Sequence, residues 1–216
     1  MKIMIAIPCV DMIPYQFVES LMYMDKTGCT SVCFKPNSLI YDSRNLLSLT
    51  AMENNFDYVM WLDSDMVVPV NTIPMLLSDA QEKNAQMVTG LYVKRDIPSG
   101  PVIFSEVQPP EVENDHVVKR IRNFDIYPRD SIFQVAGCGF GCVLTSVQLL
   151  REVFDKYGPA FAPFTWAGED VSFCYRVKQL GHDIWCDSRV KCGHVGSFVY
   201  TESILNIRGG GEDEKH

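Results

Sequence analysis

Two carboxylates, one residue apart, follow a fully apolar segment, residues 58–62 (YVMWL). Asp63 and Asp65 would therefore stand at the carboxyl end of a buried strand, where open α/β sheets bind their ligands. A carboxylate pair in that position suits a hard divalent cation such as Mg²⁺ or Mn²⁺. The alternative is that the Asp-Ser-Asp sequence is turn chemistry that merely ends the strand. The apolar strand before it favours a metal or phosphate site.

A second acidic pair, Glu169 and Asp170, opens a predicted helix. Acidic residues are favoured at helix N-termini by capping and by the helix dipole, so the pair has a purely structural alternative. However, Asp170 lies one turn before Phe173 and Cys174, which form an apolar face with Val177. We therefore expect Asp170 to face a cleft, where a partly buried carboxylate is a candidate general base.

His194 stands between small residues in the sequence Cys-Gly-His-Val-Gly. A lone histidine is often structural, but small neighbours would let a metal or ligand approach closely. Imidazole is a better partner for Mn²⁺ than for Mg²⁺. His194 is therefore a candidate third metal ligand.

Basic residues suited to phosphate occur at two places. Arg44 and Asn45 follow Ser43, which is a plausible N-cap, so they would lie in the first turn of a helix. Arginine pairs well with phosphate oxygens, and a helix N-terminus attracts anions. Lys94 and Arg95 form a similar but weaker case. In each case the alternative is an ordinary surface residue.

Composition limits the class of protein. The 216 residues carry a formal net charge of −8, which argues against broad nucleic-acid binding. No apolar run is long enough to predict a transmembrane segment. Eight cysteines without any C-x-x-C pair favour a reduced, cytoplasmic protein over a disulfide scaffold or a zinc ribbon.

Strand-like and helix-like segments alternate over the first 90 residues, which predicts an α/β class with an open, mostly parallel sheet. Residues 91–135 are rich in proline and charge and contain short strand-like pieces, which predict a small antiparallel β appendage. Residues 109–115 are expected to form an exposed turn, and residues 209–216 a disordered tail. Strands are predicted at 2–8, 30–35, 58–62, 87–89, 142–145, 182–186 and 190–194, and helices at 15–24, 44–54, 72–83, 147–154 and 170–180.

The order of these pieces resembles GT-A (Rossmann-like) glycosyltransferases, near the family 2 enzymes and the Anp-type mannosyltransferases. The resemblance covers roughly residues 3 to 196. The D-x-D sequence about a hundred residues before a G-E-D helix, followed by a late His-x-Gly, is its most specific part. It is carried by IAIPC, SRNLL, DYVMWLDSDMVVP, GLYVKRDIP, AGCGFGCVLTS, GEDVSFCYRVKQLGH and KCGHVG.

The resemblance implies a single GT-A-type domain over residues 1–208, with a nucleotide-sugar-binding half (1–90) and an acceptor-side half (91–208). It implies a metal-dependent glycosyltransferase that moves a sugar from a nucleotide-diphospho-sugar, a UDP- or GDP-sugar, to an acceptor hydroxyl. The cofactor would be Mn²⁺ or Mg²⁺. The reaction would be inverting if Asp170 is the base, but the Anp-type resemblance leaves the stereochemistry open, because retaining enzymes of this fold need no base there.

The resemblance also implies roles for individual residues. Asp65 would bind the metal directly, His194 would complete the metal site, and Asp63 would contact the ribose or the metal shell. Asp170 would be the catalytic base, with Glu169 beside it. Nucleotide-sugar binding is assigned to Ile7, Pro8, Arg44, Asn45, Asp63, Ser64 and Lys94.

Acceptor binding is assigned to Trp166, in an aromatic loop that would stack on a sugar, and to Gly139. The glycine-rich segment 137–141 lacks the G-K-[ST] of a phosphate loop, and its alternative is a turn where backbone packs closely. The sequence departs from the family in two respects. It is short, and Lys35-Pro36-Asn37 stands where an acidic residue usually follows the second strand.

Three other functions fit parts of the pattern. A haloacid-dehalogenase-like phosphatase would use Asp63 as nucleophile and Asp65 as acid/base, but its late acidic pair is missing. A nucleotidyltransferase would need a G-G-x-G-x-R opening, which is absent after Ile7. A non-catalytic nucleotide-sugar binder would keep the donor site alone.

Overall fold

The structure is a computed structural model that describes residues 1–10, 12–36, 38–113, 116–196 and 198–203. The predicted tail, residues 209–216, lies outside the described residues. None of the described helices combines the length and the apolar character needed to cross a lipid bilayer.

The element bounds follow the chain. The helices are α1 (Tyr15–Tyr23), α2 (Ile40–Glu53), α3 (Thr72–Glu82), α4 (Val147–Tyr157) and α5 (Glu169–Gln179). The strands are β1 (Ile3–Pro8), β2 (Cys29–Lys35), β3 (Tyr58–Leu62), β4 (Met66–Val67), β5 (Met87–Leu91), β6 (Ile103–Glu113), β7 (His116–Asn123), β8 (Ile132–Val135), β9 (Gly137–Cys138), β10 (Cys142–Ser146), β11 (Ile184–Lys191), β12 (Gly193–Val195) and β13 (Val199–Tyr200).

A seven-stranded sheet with the order β2-β1-β3-β10-β5-β11-β8 forms the centre of the molecule. Strand β1 pairs in parallel with β2 and β3, and β5 pairs in parallel with β11. Strand β10 runs antiparallel between β3 and β5, and β8 runs antiparallel at the edge. The predicted mostly parallel α/β sheet is confirmed.

Apolar side chains cover both faces of this sheet. All six residues of β1 are buried, as expected of a strand covered on both sides. Met4 and Ala6 face a core that includes residues of α2, α4 and α5. Ile3, Ile5 and Ile7 face a second core that includes residues of α1 and α3. Within the sheet, the parallel pairing of β1 with β3, from Ile3 opposite Tyr58 to Ala6 opposite Trp61, places the carboxyl ends of the two strands side by side.

Two small antiparallel sheets complete the fold, with the orders β13-β12-β4 and β7-β6-β9, so the predicted β appendage is confirmed. The exposed turn predicted at residues 109–115 is wrong for residues 109–113, because β6 continues through Pro109 and Pro110 to Glu113, and residues 114 and 115 lie outside the described residues. The pairing with β7 shifts its register between Gln108 and Glu111. Proline has no N–H to donate, and such an irregularity is where a strand tolerates it.

The predicted start of α2 is also wrong. The helix begins at Ile40, after Leu39, so Ser43 lies inside it and does not cap it. The Ser43 hydroxyl instead hydrogen-bonds the hydroxyl of Ser38. Arg44 therefore lies in the second turn of the helix, where the positive end of the dipole is weak. The C-terminal boundary of α5 is as expected, with Gly181 at a φ of 85°.

One boundary near the end of the chain also differs from expectation. The two short strands predicted at 182–186 and 190–194 are β11, which continues to Lys191, and β12, which begins at Gly193.

Gly139→Ala tests the packing of the glycine-rich segment. A Cβ at position 139 would lie 2.0 Å from the Tyr92 hydroxyl oxygen and 2.7 Å from a methyl group of Val102. We expect the free energy of unfolding to fall by about 1–3 kcal/mol through overpacking. Urea denaturation measures it. The control is Gly100→Ala, since a Cβ there meets nothing within 4 Å. Equal stability of the two variants would contradict the close packing.

Candidate active site at the carboxyl edge of the sheet

A cleft of about 310 Å³ opens at the carboxyl ends of β1 and β3. Pro8 ends β1 at this cleft, whereas Ile7 is fully buried in the core and does not line it. Ser64, between the two aspartates, lines the cleft, and its predicted role in nucleotide-sugar binding stays a prediction. The lining residues are Pro8, Cys9, Val10, Ser38, Ile40, Ser43, Asp63, Ser64, Asp65, Arg95 and His194.

A buried arginine connects the strand end to the acidic helix. Arg44 Nη2 donates a 2.7 Å hydrogen bond to Asp63 Oδ1, and Nη1 donates to Glu169 Oε1. Only 3% of the Arg44 side chain is exposed, and its guanidinium lies over the Phe140 ring, 5.4 Å from the centroid. The guanidinium therefore holds two carboxylates that lie more than a hundred residues apart in sequence.

This pairing decides what Asp63 can do. Burial raises the pKa of Asp63, the nearby Arg44 opposes that effect, and the charges of Asp65 and Glu169 add to it. Removing one partner of a buried ion pair costs about 3–5 kcal/mol, because a buried charge is left uncompensated. Asp63 Oδ1 is therefore committed to Arg44, and Asp63 is a structural anion more than a ligand.

Asp65 lies beside His194 in the open part of the cleft. The small sheet brings them together, since β12 pairs with β4 so that His194 is opposite Met66. The Val195 N–H donates 2.8 Å to the Asp65 carbonyl oxygen, and His194 Nε2 is 3.5 Å from Asp65 Oδ2. The D-x-D sequence and the late His-x-Gly therefore meet in space, as the resemblance implied.

The tautomer of His194 follows from its second hydrogen bond. Its Nδ1 is 2.9 Å from the Val93 carbonyl oxygen, which can only accept, so Nδ1 carries the proton. Nε2 is therefore the ring nitrogen that faces Asp65. A backbone carbonyl on the far nitrogen is the usual way in which a ligating histidine is oriented.

Arg95 also contacts Asp65. Its Nη1 is 2.9 Å from Asp65 Oδ2, and 49% of the Arg95 side chain is exposed. Exposed ion pairs of this kind contribute about 0–1 kcal/mol. Burial acts to raise the pKa of Asp65, but the hydrogen bond and charge of His194 and the charge of Arg95 outweigh it, so this pKa lies below its ordinary value.

The donor atoms at Asp65 and His194 suit a divalent cation. A carboxylate and an imidazole match Mn²⁺, and cations that act on phosphates are usually held by one or two protein groups plus the phosphates themselves. Within the residues that the structure describes, no group of three or more His, Cys, Asp or Glu side chains is arranged to hold a metal. Asp63, predicted as a ligand, faces Arg44 with Oδ1 and could offer a metal only Oδ2, so Asp65 and His194 are the stronger candidates.

Asp170 stands in the first turn of α5, next to the Glu169–Arg44 pair. Burial raises the pKa of Asp170 to about 6, and the neighbouring Glu169 charge adds to this effect. Its Oδ1 accepts a hydrogen bond from the Val171 N–H. A carboxyl group with a pKa of about 6 is half ionised near pH 6 and mostly ionised at neutral pH, which suits a general base.

Three predicted residues have local partners. Asn45 Oδ1 accepts a 2.9 Å hydrogen bond from the Phe161 N–H and so holds the loop before α5. Trp166 stacks on Phe164 at 5.0 Å between ring centroids. Gly139 is buried beneath Tyr92, as the close-packing alternative predicted. Their roles toward a nucleotide or an acceptor stay predictions.

The two basic residues after β5 separate. Lys94 lines a different cavity, with Asp96 and Asn123, whereas Arg95 lines the cleft. From the sequence, Lys94 and Arg95 were equally weak candidates for phosphate binding, and nucleotide-sugar binding was assigned to Lys94 alone. Only the three-dimensional path of the loop distinguishes them. The Val93 carbonyl was also missed, since backbone groups leave no signal in residue type.

Known protein structures share the fold of this chain, whereas no family model and no curated protein matches its sequence. The crystal structure of A197 from STIV superposes with a TM-score of 0.66 at 17% identity, over 91% of this chain and 86% of that chain. GalNAc-T7, solved with UDP, GalNAc and Mn²⁺, superposes with a TM-score of 0.56 at 13% identity, over 89% of this chain and 43% of that chain.

The chain thus spans less than half the length of the GalNAc-T7 chain. At these identities the likeness shows the fold alone. The protein has a GT-A-like fold, with a large mostly parallel sheet and small antiparallel sheets. The finer resemblance to family 2 and Anp-type enzymes has no matching family model and stays a prediction.

Arg44→Met tests the buried ion pair. The variant keeps much of the side-chain volume but leaves Asp63 and Glu169 facing each other without a cation. We expect the free energy of unfolding to fall by about 3–5 kcal/mol, measured by urea denaturation at pH 7. The control is Arg122→Ala on β7, an arginine with 68% exposure paired to Glu106, which should lose less than about 1 kcal/mol. Similar losses in both variants would refute the role of Arg44.

Proposed function

We propose that this protein is a metal-dependent glycosyltransferase that moves a sugar from a UDP- or GDP-sugar to an acceptor hydroxyl, with inversion. The observation that carries the proposal is the meeting of Asp65 and His194 in a cleft at the carboxyl edge of a GT-A-like sheet. The Asp63–Arg44–Glu169 chain links that cleft to Asp170, a carboxyl group with a raised pKa.

The donor side of the cleft suits a nucleoside diphosphate. Asp65 and His194 would hold the divalent cation, which when bound neutralises charge on the departing diphosphate. Arg95 supplies a further positive charge at the same edge. Pro8 and Cys9, at the end of β1, give the cleft an apolar wall against which a nucleobase would pack. GalNAc-T7, of similar fold, was solved with UDP and Mn²⁺, which supports this donor class.

The transfer step assigns a role to Asp170. Its carboxylate takes the proton of the acceptor hydroxyl while the acceptor oxygen attacks the anomeric carbon. The bond between that carbon and the diphosphate oxygen breaks, and the nucleoside diphosphate leaves with the electron pair. Glu169 does not compete for this role, because Arg44 holds its carboxylate. Glu169 therefore acts as a positioning residue for the start of α5.

The same ion pair weakens the phosphatase alternative. A nucleophilic aspartate needs a free carboxylate oxygen directed at phosphorus. Asp63 Oδ1 accepts a hydrogen bond from a buried guanidinium, which draws charge from the carboxylate and lowers the nucleophilicity of the remaining oxygen, Oδ2. Asp63 also ends the third strand of the sheet, after two strand–helix units.

Asp65→Asn tests the metal assignment. The substitution keeps the shape of the side chain and removes its charge, so we expect the Mn²⁺-dependent affinity for UDP or GDP to fall at least about tenfold, which is 1.4 kcal/mol. Isothermal titration calorimetry with and without Mn²⁺ measures it. Asp183→Asn, before β11 at the opposite edge of the sheet, is the control. Unchanged Mn²⁺ dependence in Asp65→Asn would remove the proposed site.

Asp170→Asn tests the base. We expect donor affinity to persist and kcat to fall by about 10²–10⁴-fold. In the wild type the ionised form is the active one, so kcat/KM should rise as pH passes about 6 and level off above it. The rise should vanish from the residual activity of the variant. Full transfer activity in Asp170→Asn, or an unchanged pH profile, would contradict a base at this position.

A further inference from the structure

We propose that Arg95 is a diphosphate-binding residue that exchanges partners, pairing with Asp65 before the donor binds and with the donor's diphosphate afterwards. The inference rests on the proposed function and adds Arg95, which the sequence offered only as a weak phosphate-binding candidate beside Lys94 and which the site assignment left out. It also gives the two aspartates of the D-x-D sequence different roles.

The geometry places Arg95 in competition with a cation. Arg95 Nη1 lies 2.9 Å from Asp65 Oδ2, and His194 Nε2 approaches the same oxygen at 3.5 Å. A divalent ion placed between Asp65 and His194 would lie at that oxygen, because Oδ2 is the Asp65 oxygen that the imidazole approaches. The guanidinium must therefore leave Asp65 when the metal binds, and the nearest new anion would be the diphosphate that the metal brings with it.

The two arginines of the site differ in how easily they can change partner. Arg44 is 3% exposed, so separating it from Asp63 would strand charges in the interior. Arg95 is 49% exposed, and water can solvate both members of its pair with Asp65 at any stage of an exchange. Asp65 can therefore lose its arginine partner to solvent or to a ligand, whereas Asp63 keeps Arg44.

The backbone beneath Arg95 is fixed, and besides Asp65 its side chain has one further polar partner among the described residues, the Val195 carbonyl oxygen, to which Nη1 donates a 3.3 Å hydrogen bond. The Lys94 N–H donates 2.9 Å to the Gly100 carbonyl, and the Ser99 hydroxyl donates 2.7 Å to the Lys94 carbonyl. The Arg95 stem packs against Gly196, where an added Cβ would meet Arg95 Cδ at 3.2 Å. The guanidinium therefore turns at the cleft edge, and its planar fork matches two phosphate oxygens.

The test is a pair of calorimetric titrations on Arg95→Ala, one with MnCl₂ alone and one with UDP or GDP at saturating Mn²⁺. The proposal predicts opposite changes. Affinity for Mn²⁺ alone should rise up to about fivefold, because Asp65 no longer has a competing cation. Affinity for the nucleoside diphosphate should fall about tenfold or more, because a charge-assisted contact is lost. Arg95→Lys should recover part of the nucleotide affinity.

Arg122→Ala is the matched control, since it removes the same charge from the β6–β7 hairpin and leaves Asp65 in place. A fall in both affinities for Arg95→Ala, no change in either, or a rise in Mn²⁺ affinity equal to that of Arg122→Ala would overturn the exchange. If the wild type binds neither nucleotide with Mn²⁺, the proposed function fails. If it binds them and Arg95→Ala binds them equally well, only the role of Arg95 fails.

Discussion

The site depends on one buried guanidinium. Arg44, from α2, pairs with Asp63 at the end of β3 and with Glu169 at the start of α5, so it joins the two parts of the chain that carry the candidate chemistry. Its Nε has no hydrogen-bond partner, and the carboxylates of Asp63, Glu169 and Asp170 supply the charge that stabilises the cation. Without it, three carboxylates would face each other in a partly buried space.

This constraint explains why two aspartates that look alike in sequence differ in the structure. Asp63 also lines the cleft, but its Oδ1 is held by a guanidinium that is only 3% exposed. Asp65 faces the cleft, where its partners are a half-exposed arginine and an imidazole aligned by a backbone carbonyl. The D-x-D sequence therefore combines one residue that holds the site together with one that is free to bind. In the proposed function, Asp63 stabilises the donor site through its ion pair with Arg44, and Asp65 binds the cation.

The sequence predicted the central elements because their signals are local. The apolar runs of β1 and β3, the periodic helix α3 and the glycine after α5 all follow from neighbouring residues. The acidic residue after a buried strand likewise indicated the cleft. The partner of Arg44 could not be predicted, since Asp63 and Glu169 are distant in sequence and nothing in their types distinguishes a buried ion pair from a phosphate site. The choice between Lys94 and Arg95 depended on the path of one loop.

The central claim is that Asp65 and His194, and not Asp63, hold a divalent cation at a nucleoside diphosphate. Anomalous diffraction at the manganese edge, from crystals grown with MnCl₂ and UDP or GDP, tests it most directly. The account predicts one strong anomalous peak bonded to Asp65 and His194, with Arg44 still paired to Asp63. A peak bonded to Asp63 with Arg44 displaced, or nucleotide density without any peak near Asp65, would contradict it.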